Sequence, residues 1–125
     1  MKPVGPIPPG FEAIDGELAI AGRRASEWVA EAGRTPLFVY SKAMLDARMA
    51  ELRAALPARV GVNFAVKANP HPAVIAHMAP LVDGFDIASA GELQLCVAAG
   101  IDPRRISFAG PGKRDDELEA AIAAG

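Results

Sequence analysis

The side chains that could do chemistry lie between residues 63 and 113. Lys67 closes the run Asn63-Phe64-Ala65-Val66. A lysine at the end of an apolar strand is expected to be partly withdrawn from water. That favours the neutral amine, the form that attacks an aldehyde. The same placement suits a lysine that lays its stem along apolar surface and keeps its ammonium in water. Asp86 interrupts the apolar run Gly84-Phe85-Asp86-Ile87-Ala88, either as a partner for a nearby cation or as a solvated or capping carboxylate. Ser89 and Glu92 have the spacing of a capping box, in which the two side chains satisfy free amides at a helix start. Other reactive types read as structural. Cys96 shares a helix with Leu93 and Val97 and is expected in the core. His71 and His77 lack metal-ligand spacing. Trp28 is expected to anchor a short helix. Asp115-Asp116-Glu117 suits a helix N-terminus, where negative charge complements the dipole.

These residues need elements to hold them. Residues 1–10 form a Pro-rich, irregular leader. Phe11 to Ile20 reads as a hairpin, because Asp15-Gly16 supplies the positive φ angles of a tight turn. A short helix over 25–32 is expected to stop at Gly33, and Leu37 to Tyr40 reads as a strand. Ser41 caps a helix whose apolar face is Leu45, Met49, Leu52 and Leu56, ended by Pro57. From residue 60 the pattern is regular. Strands over 60–66, 84–88 and 105–109 alternate with helices over 73–79, 90–99 and 115–124. Lys67, Ala88 and Ala109 fall at equal spacing at the strand ends. Such alternation implies a parallel sheet with crossover helices. A closed barrel of eight such units needs about 250 residues. The sequence is therefore expected to contain about three units, an incomplete barrel with open sheet edges, unstable or inactive as an isolated polypeptide.

Composition excludes several classes. Hydrophobic residues make up 51% and charged residues 22% of the 125, with a formal charge of -2. That composition suits a globular α/β chain and lacks the basic stripe of a nucleic-acid binder. No apolar run reaches a membrane span or a secretory signal. A single cysteine rules out an internal disulfide. The expectation is a cytoplasmic protein with no metal site.

Four stretches, in order, carry a family resemblance. Phe64-Ala65-Val66-Lys67-Ala68-Asn69-Pro70 resembles the cofactor-lysine motif of the fold-type III pyridoxal-phosphate-dependent decarboxylases, the diaminopimelate, ornithine and arginine group. Thr35-Pro36-Leu37-Phe38-Val39-Tyr40 resembles the strand before their barrel. Gly84 to Leu93 resembles the second barrel strand and its helix start. Ile106 to Lys113 resembles the third strand with its Pro-x-Lys turn. The leader and closing stretch look closest to the decarboxylase-like proteins associated with exosortase systems.

The resemblance implies an alanine-racemase-like (β/α)8 TIM-type barrel. Residues 36–125 would open that barrel, and residues 1–35 would belong with a second β domain. It implies pyridoxal 5'-phosphate as cofactor, Lys67 as the Schiff-base lysine, Asp86 as the acid facing lysine and cofactor, and Ser89 as part of the cofactor-binding signature. Lys113 would neutralise negative charge at the barrel mouth or stand as an exposed turn lysine. The substrate would be a small amino acid and the full-length protein a homodimer, with the phosphate loop and the ring-nitrogen partner on later strands. An amino-acid racemase of the same fold continues differently after its lysine, whereas Ala68-Asn69-Pro70-His71-Pro72 favours a decarboxylase. A non-catalytic cofactor-binding protein of this fold would start almost directly into the barrel. A decarboxylase-like regulator would have no need of both Lys67 and Asp86.

Overall fold

The computed structural model describes residues 5–125. The chain divides into two compact units, one ending at Leu52 and the other beginning at Arg53. The expected leader lies partly outside the described residues, and its described part is irregular.

The first unit is built on turns. Strands β1 (Glu12–Ile14) and β2 (Glu17–Ile20) pair antiparallel, with Glu12 opposite Ala19. Asp15 at φ 51° and Gly16 at φ 78° make the tight turn that the Asp-Gly pair calls for. A second turn of the same kind, at Ala21 and Gly22, adds a third strand that the sequence reading did not foresee, β3 (Arg23–Arg24). Alanine is an unusual residue for positive φ, so this turn had little signal. Helix α1 (Ala25–Ala32) ends on left-handed Gly33 as expected. Trp28 ties it to the sheet by donating its indole N–H to the Ile20 carbonyl at 3.1 Å, with the Arg23 guanidinium 3.9 Å from the ring centre. Ser41 Oγ accepts the Met44 amide at 3.3 Å and starts α2 (Lys42–Ala55). One expectation fails here. Leu37 to Tyr40 forms no strand, and Phe38 and Tyr40 are exposed. A strand exists only through a partner's amides and carbonyls, and no described strand pairs with this segment.

The second unit is a three-stranded parallel sheet in the order β4 (Asn63–Ala65), β5 (Gly84–Ile87), β6 (Ile106–Phe108). Helices α3 (Pro72–Met78), α4 (Ala90–Ala98) and α5 (Asp115–Ala124) follow the three strands in turn. The first strand is shorter than the expected 60–66: it begins at Asn63 and stops at Ala65, where the chain tightens into a 3-10 turn over Val66–Ala68. The two sheet faces differ. Phe64, Phe85 and Ile106 stand in one row. The rings of Phe64 and Phe85 meet edge to face at 6.0 Å. Phe85 and Ile87 are buried with Val66, Ile75, Leu93 and Cys96. Burial of a side chain of this size contributes about 1.5–3 kcal/mol, so this layer carries the unit. The opposite face bears the row Ala65, Asp86, Ser107.

The N-terminal end of the sheet is fastened by charge. Asp83 accepts the Val62 amide at 2.6 Å and pairs with Arg53 at 2.8 Å. That amide first, and Arg53 second, hold its carboxyl below the ordinary 3.8. The Arg105 guanidinium donates to the carbonyls of Ala79, Val82 and Asp83 at 2.7 to 3.1 Å, collecting acceptors that α3 and its loop leave open. Gly84 is required between these parts. A β-carbon there would lie 2.6 Å from Asn63 Oδ1 and 2.7 Å from the Arg105 carbonyl.

Candidate functional site

Structural clamps occupy one end of the sheet, and the candidate residues gather at the other. Parallel strands of this kind expose their C-terminal ends to ligands. Lys67 sits in the turn that follows β4, and Asp86 sits on β5 opposite Ala65. Lys67 therefore leaves the sheet just beyond the Ala65–Asp86 pair, and its turn lies against β5. Lys67 is exposed, which corrects the expectation that it is withdrawn from water. The parallel sheet of this unit has three strands, too little wall to exclude solvent. Its ammonium has no hydrogen-bond or ion-pair partner among those residues.

Asp86 is half-buried. Its Oδ1 accepts the Ser107 hydroxyl at 2.8 Å, and its Oδ2 has no partner among the described residues. Ser107 was not singled out from the sequence. The signal was present but faint, since the even spacing of the strand ends places residue 107 directly across from residue 86.

Ser89 performs the capping role. Its Oγ accepts the Glu92 amide at 3.3 Å at the start of α4. Glu92 does not return to the Ser89 amide, as a standard capping box would have it, and instead accepts the Ala88 amide at 2.8 Å. A third carboxylate, which the sequence reading placed only at the start of its own helix, completes the arrangement. Glu117 on α5 is buried and bridges two helices. One oxygen accepts the Ala90 amide at 3.0 Å and the other the Arg114 amide at 3.1 Å. These two amides, Ala90 first, hold its carboxyl below the ordinary 4.5. The amides of Ala88, Ala90 and Glu92 are thus taken by protein oxygens. This helix start is no ready phosphate cradle, unlike many helix N-termini. The Ser89 hydroxyl still has its own hydrogen to donate.

Lys113 is tied into its own turn. Its ammonium donates to the Gly110 carbonyl at 2.7 Å and lies 5.3 Å from the centre of the Phe108 ring. The buried Cys96 thiol is pushed up by burial, then by Glu92, which makes it inert at neutral pH. The described residues hold no group of three or more His, Cys, Asp or Glu arranged to take a metal, and no helix long and apolar enough to cross a membrane.

Comparison with known proteins gives this geometry a context. The family described as pyridoxal-dependent decarboxylase, pyridoxal binding domain, matches residues 42–125. The chain is 42% identical to a diaminopimelate decarboxylase of Aquifex aeolicus over 114 residues, 91% of this chain and 27% of that protein. Among solved structures it superposes on a diaminopimelate decarboxylase of M. jannaschi with a TM-score of 0.78 and 28% identity, over 91% of this chain and 28% of that one. A lysine decarboxylase of Selenomonas ruminantium matches with a TM-score of 0.70 and 34% identity, over 80% of this chain and 26% of that one. The chain thus spans little more than a quarter of the length of these relatives. The relation covers the early strands of a barrel and the segment before them.

Proposed function

We propose that this chain, which belongs to the pyridoxal-dependent decarboxylase family through its pyridoxal-binding domain, supplies the cofactor lysine of an amino-acid decarboxylase. Lys67 is that lysine, and Asp86 is the acid that faces it. One observation carries the reading. The sheet register sets Asp86 opposite Ala65, the last residue of β4, two residues before Lys67, and the Lys67 amine and one Asp86 carboxylate oxygen are both without a partner among the described residues.

Pyridoxal phosphate asks for such a pair. Its aldehyde needs a primary amine free to form a covalent bond, and Lys67 is free. Bound there, the cofactor would accept the electron pair released when an amino acid loses its carboxylate. The protein residues have simpler tasks. Lys67 would hold the cofactor through its primary amine. The carboxylate of Asp86 offers a negative charge to the cations of the site, and Ser89 offers a hydroxyl near the start of α4. Other residues would hold the phosphate, because the amides of Ala88, Ala90 and Glu92 at this helix start already have protein acceptors.

The substrate is an amino acid, and diaminopimelate, lysine, ornithine and arginine are the compounds to test first. The protein works as a cytoplasmic homodimer. Residues 36–125 open the barrel and residues 1–35 belong with a second β domain. The antiparallel sheet within residues 12–24 and a family match that starts at residue 42 support that division.

Borohydride reduction of the full-length protein, followed by peptide mass mapping, tests the assignment. A pyridoxyl adduct on the peptide containing Lys67 is expected. An adduct on another lysine, or none in cofactor-saturated protein, would reject it. Release of carbon dioxide with the matching amine separates decarboxylation from racemisation, which would return the epimer.

A further inference from the structure

We infer that Ser107 is a positioning residue that sets the orientation of the Asp86 carboxylate. The inference rests on the role proposed above for Asp86 and extends it to a side chain with no assigned task. Ser107 stands opposite Asp86 in the parallel ladder of β5 and β6. Its Oγ lies 2.8 Å from Asp86 Oδ1 and 3.4 Å from the Phe85 carbonyl. A hydroxyl has one hydrogen to give. The closer, charged acceptor takes it, and bonds of this kind are the stronger ones.

The consequence is geometric. The terminal torsion of an aspartate is broad and roughly two-fold, so an unsupported carboxylate swings between orientations. Of the two side chains flanking Asp86 in its row, Ala65 has no donor and Ser107 has one. The hydroxyl therefore engages Oδ1 from the β6 side, while Lys67 follows β4 on the other side of β5. Oδ2 is the oxygen left to meet a cation or ligand.

The test uses the full-length polypeptide and pyridoxal phosphate itself. Ser107→Val and Ser107→Thr have nearly the same shape, and only the second keeps a hydroxyl. Three quantities are read: cofactor affinity by absorbance titration, the visible circular dichroism of bound cofactor, and the thermal midpoint. Ser107→Val is expected to weaken cofactor binding about three- to tenfold and to change the dichroic band. Ser107→Thr is expected to retain both wild-type values, with a midpoint matching that of Ser107→Val. Should Ser107→Val fail to fold, Ser107→Ala takes its place. If the hydroxyl-free variant binds cofactor as wild type does while Asp86→Asn weakens binding, the inference about Ser107 is overturned and the role of Asp86 stands. If Asp86→Asn also changes neither affinity nor dichroism, the role of Asp86 fails, and the inference with it.

Discussion

At the scale of single residues, Lys67 is unengaged among the described residues, in contrast to several basic side chains of its unit. Arg53 and Arg105 are spent on carboxylate and carbonyl oxygens, and Lys113 closes its own turn. A cation kept free at a strand end is available for covalent chemistry, which charge alone does not require. Lys67→Arg keeps the charge but has no primary amine. It is expected to lose the reducible cofactor adduct entirely while keeping the wild-type thermal midpoint to within about half a kcal/mol of stability. Retention of an adduct at residue 67's peptide is impossible for arginine, so an unchanged total adduct in this variant would place the cofactor elsewhere.

At the scale of elements, two contacts fix how strands and helices meet. Gly84 lets β5 lie against Asn63 and the Arg105 carbonyl. Gly84→Ala forces these apart, with an expected loss of about 1–3 kcal/mol in urea unfolding of the full-length protein. An unchanged midpoint would show that the neighbours move aside freely. Glu117 joins α5 to the start of α4 by accepting one amide on each oxygen. Glutamine accepts on one side only and turns an N–H toward the second donor. Because the folded protein holds the Glu117 carboxyl below its ordinary 4.5, its contribution is present in full above that value. It fades as pH falls through the lowered folded value. Glu117→Gln is therefore expected to be less stable than wild type at pH 7, with the gap closing in acid below pH 4.5. Thermal melts across pH 3–7 check this, and a gap independent of pH would remove the carboxylate from the explanation.

At the scale of the whole molecule, the sheet order leaves β4 and β6 each paired on one side only among the described residues. Open parallel edges are exposed to wrong pairing, and parallel sheets are normally covered on both faces. The row of Ala65, Asp86 and Ser107 lies on the face opposite the apolar layer, with Ala65 and Asp86 half-buried and Ser107 exposed. The 125-residue polypeptide, prepared alone, is expected to show no cooperative thermal transition and to bind no cofactor. A sharp transition in calorimetry would show that the apolar layer behind the sheet is sufficient by itself.

The sequence by itself determined the local features, because they depend on near neighbours. Asp15-Gly16 dictated the first hairpin turn, Gly33 the end of α1, Ser41 the start of α2, and the alternation after residue 60 the parallel sheet. The motif around Lys67 marked the candidate lysine, and Asp86 was legible as a lone acid in an apolar run. What needed partners distant in the chain was decided by tertiary structure. Leu37 to Tyr40 has strand-forming residues but lacks a partner strand among those described. The exposure of Lys67 depends on how much wall surrounds it. Glu117 had the marks of a dipole-complementing acid, and its second oxygen found an amide on another helix. Ser107 became a partner of Asp86 only through the register of β5 and β6, because a hydrogen bond across strands is set by alignment in space.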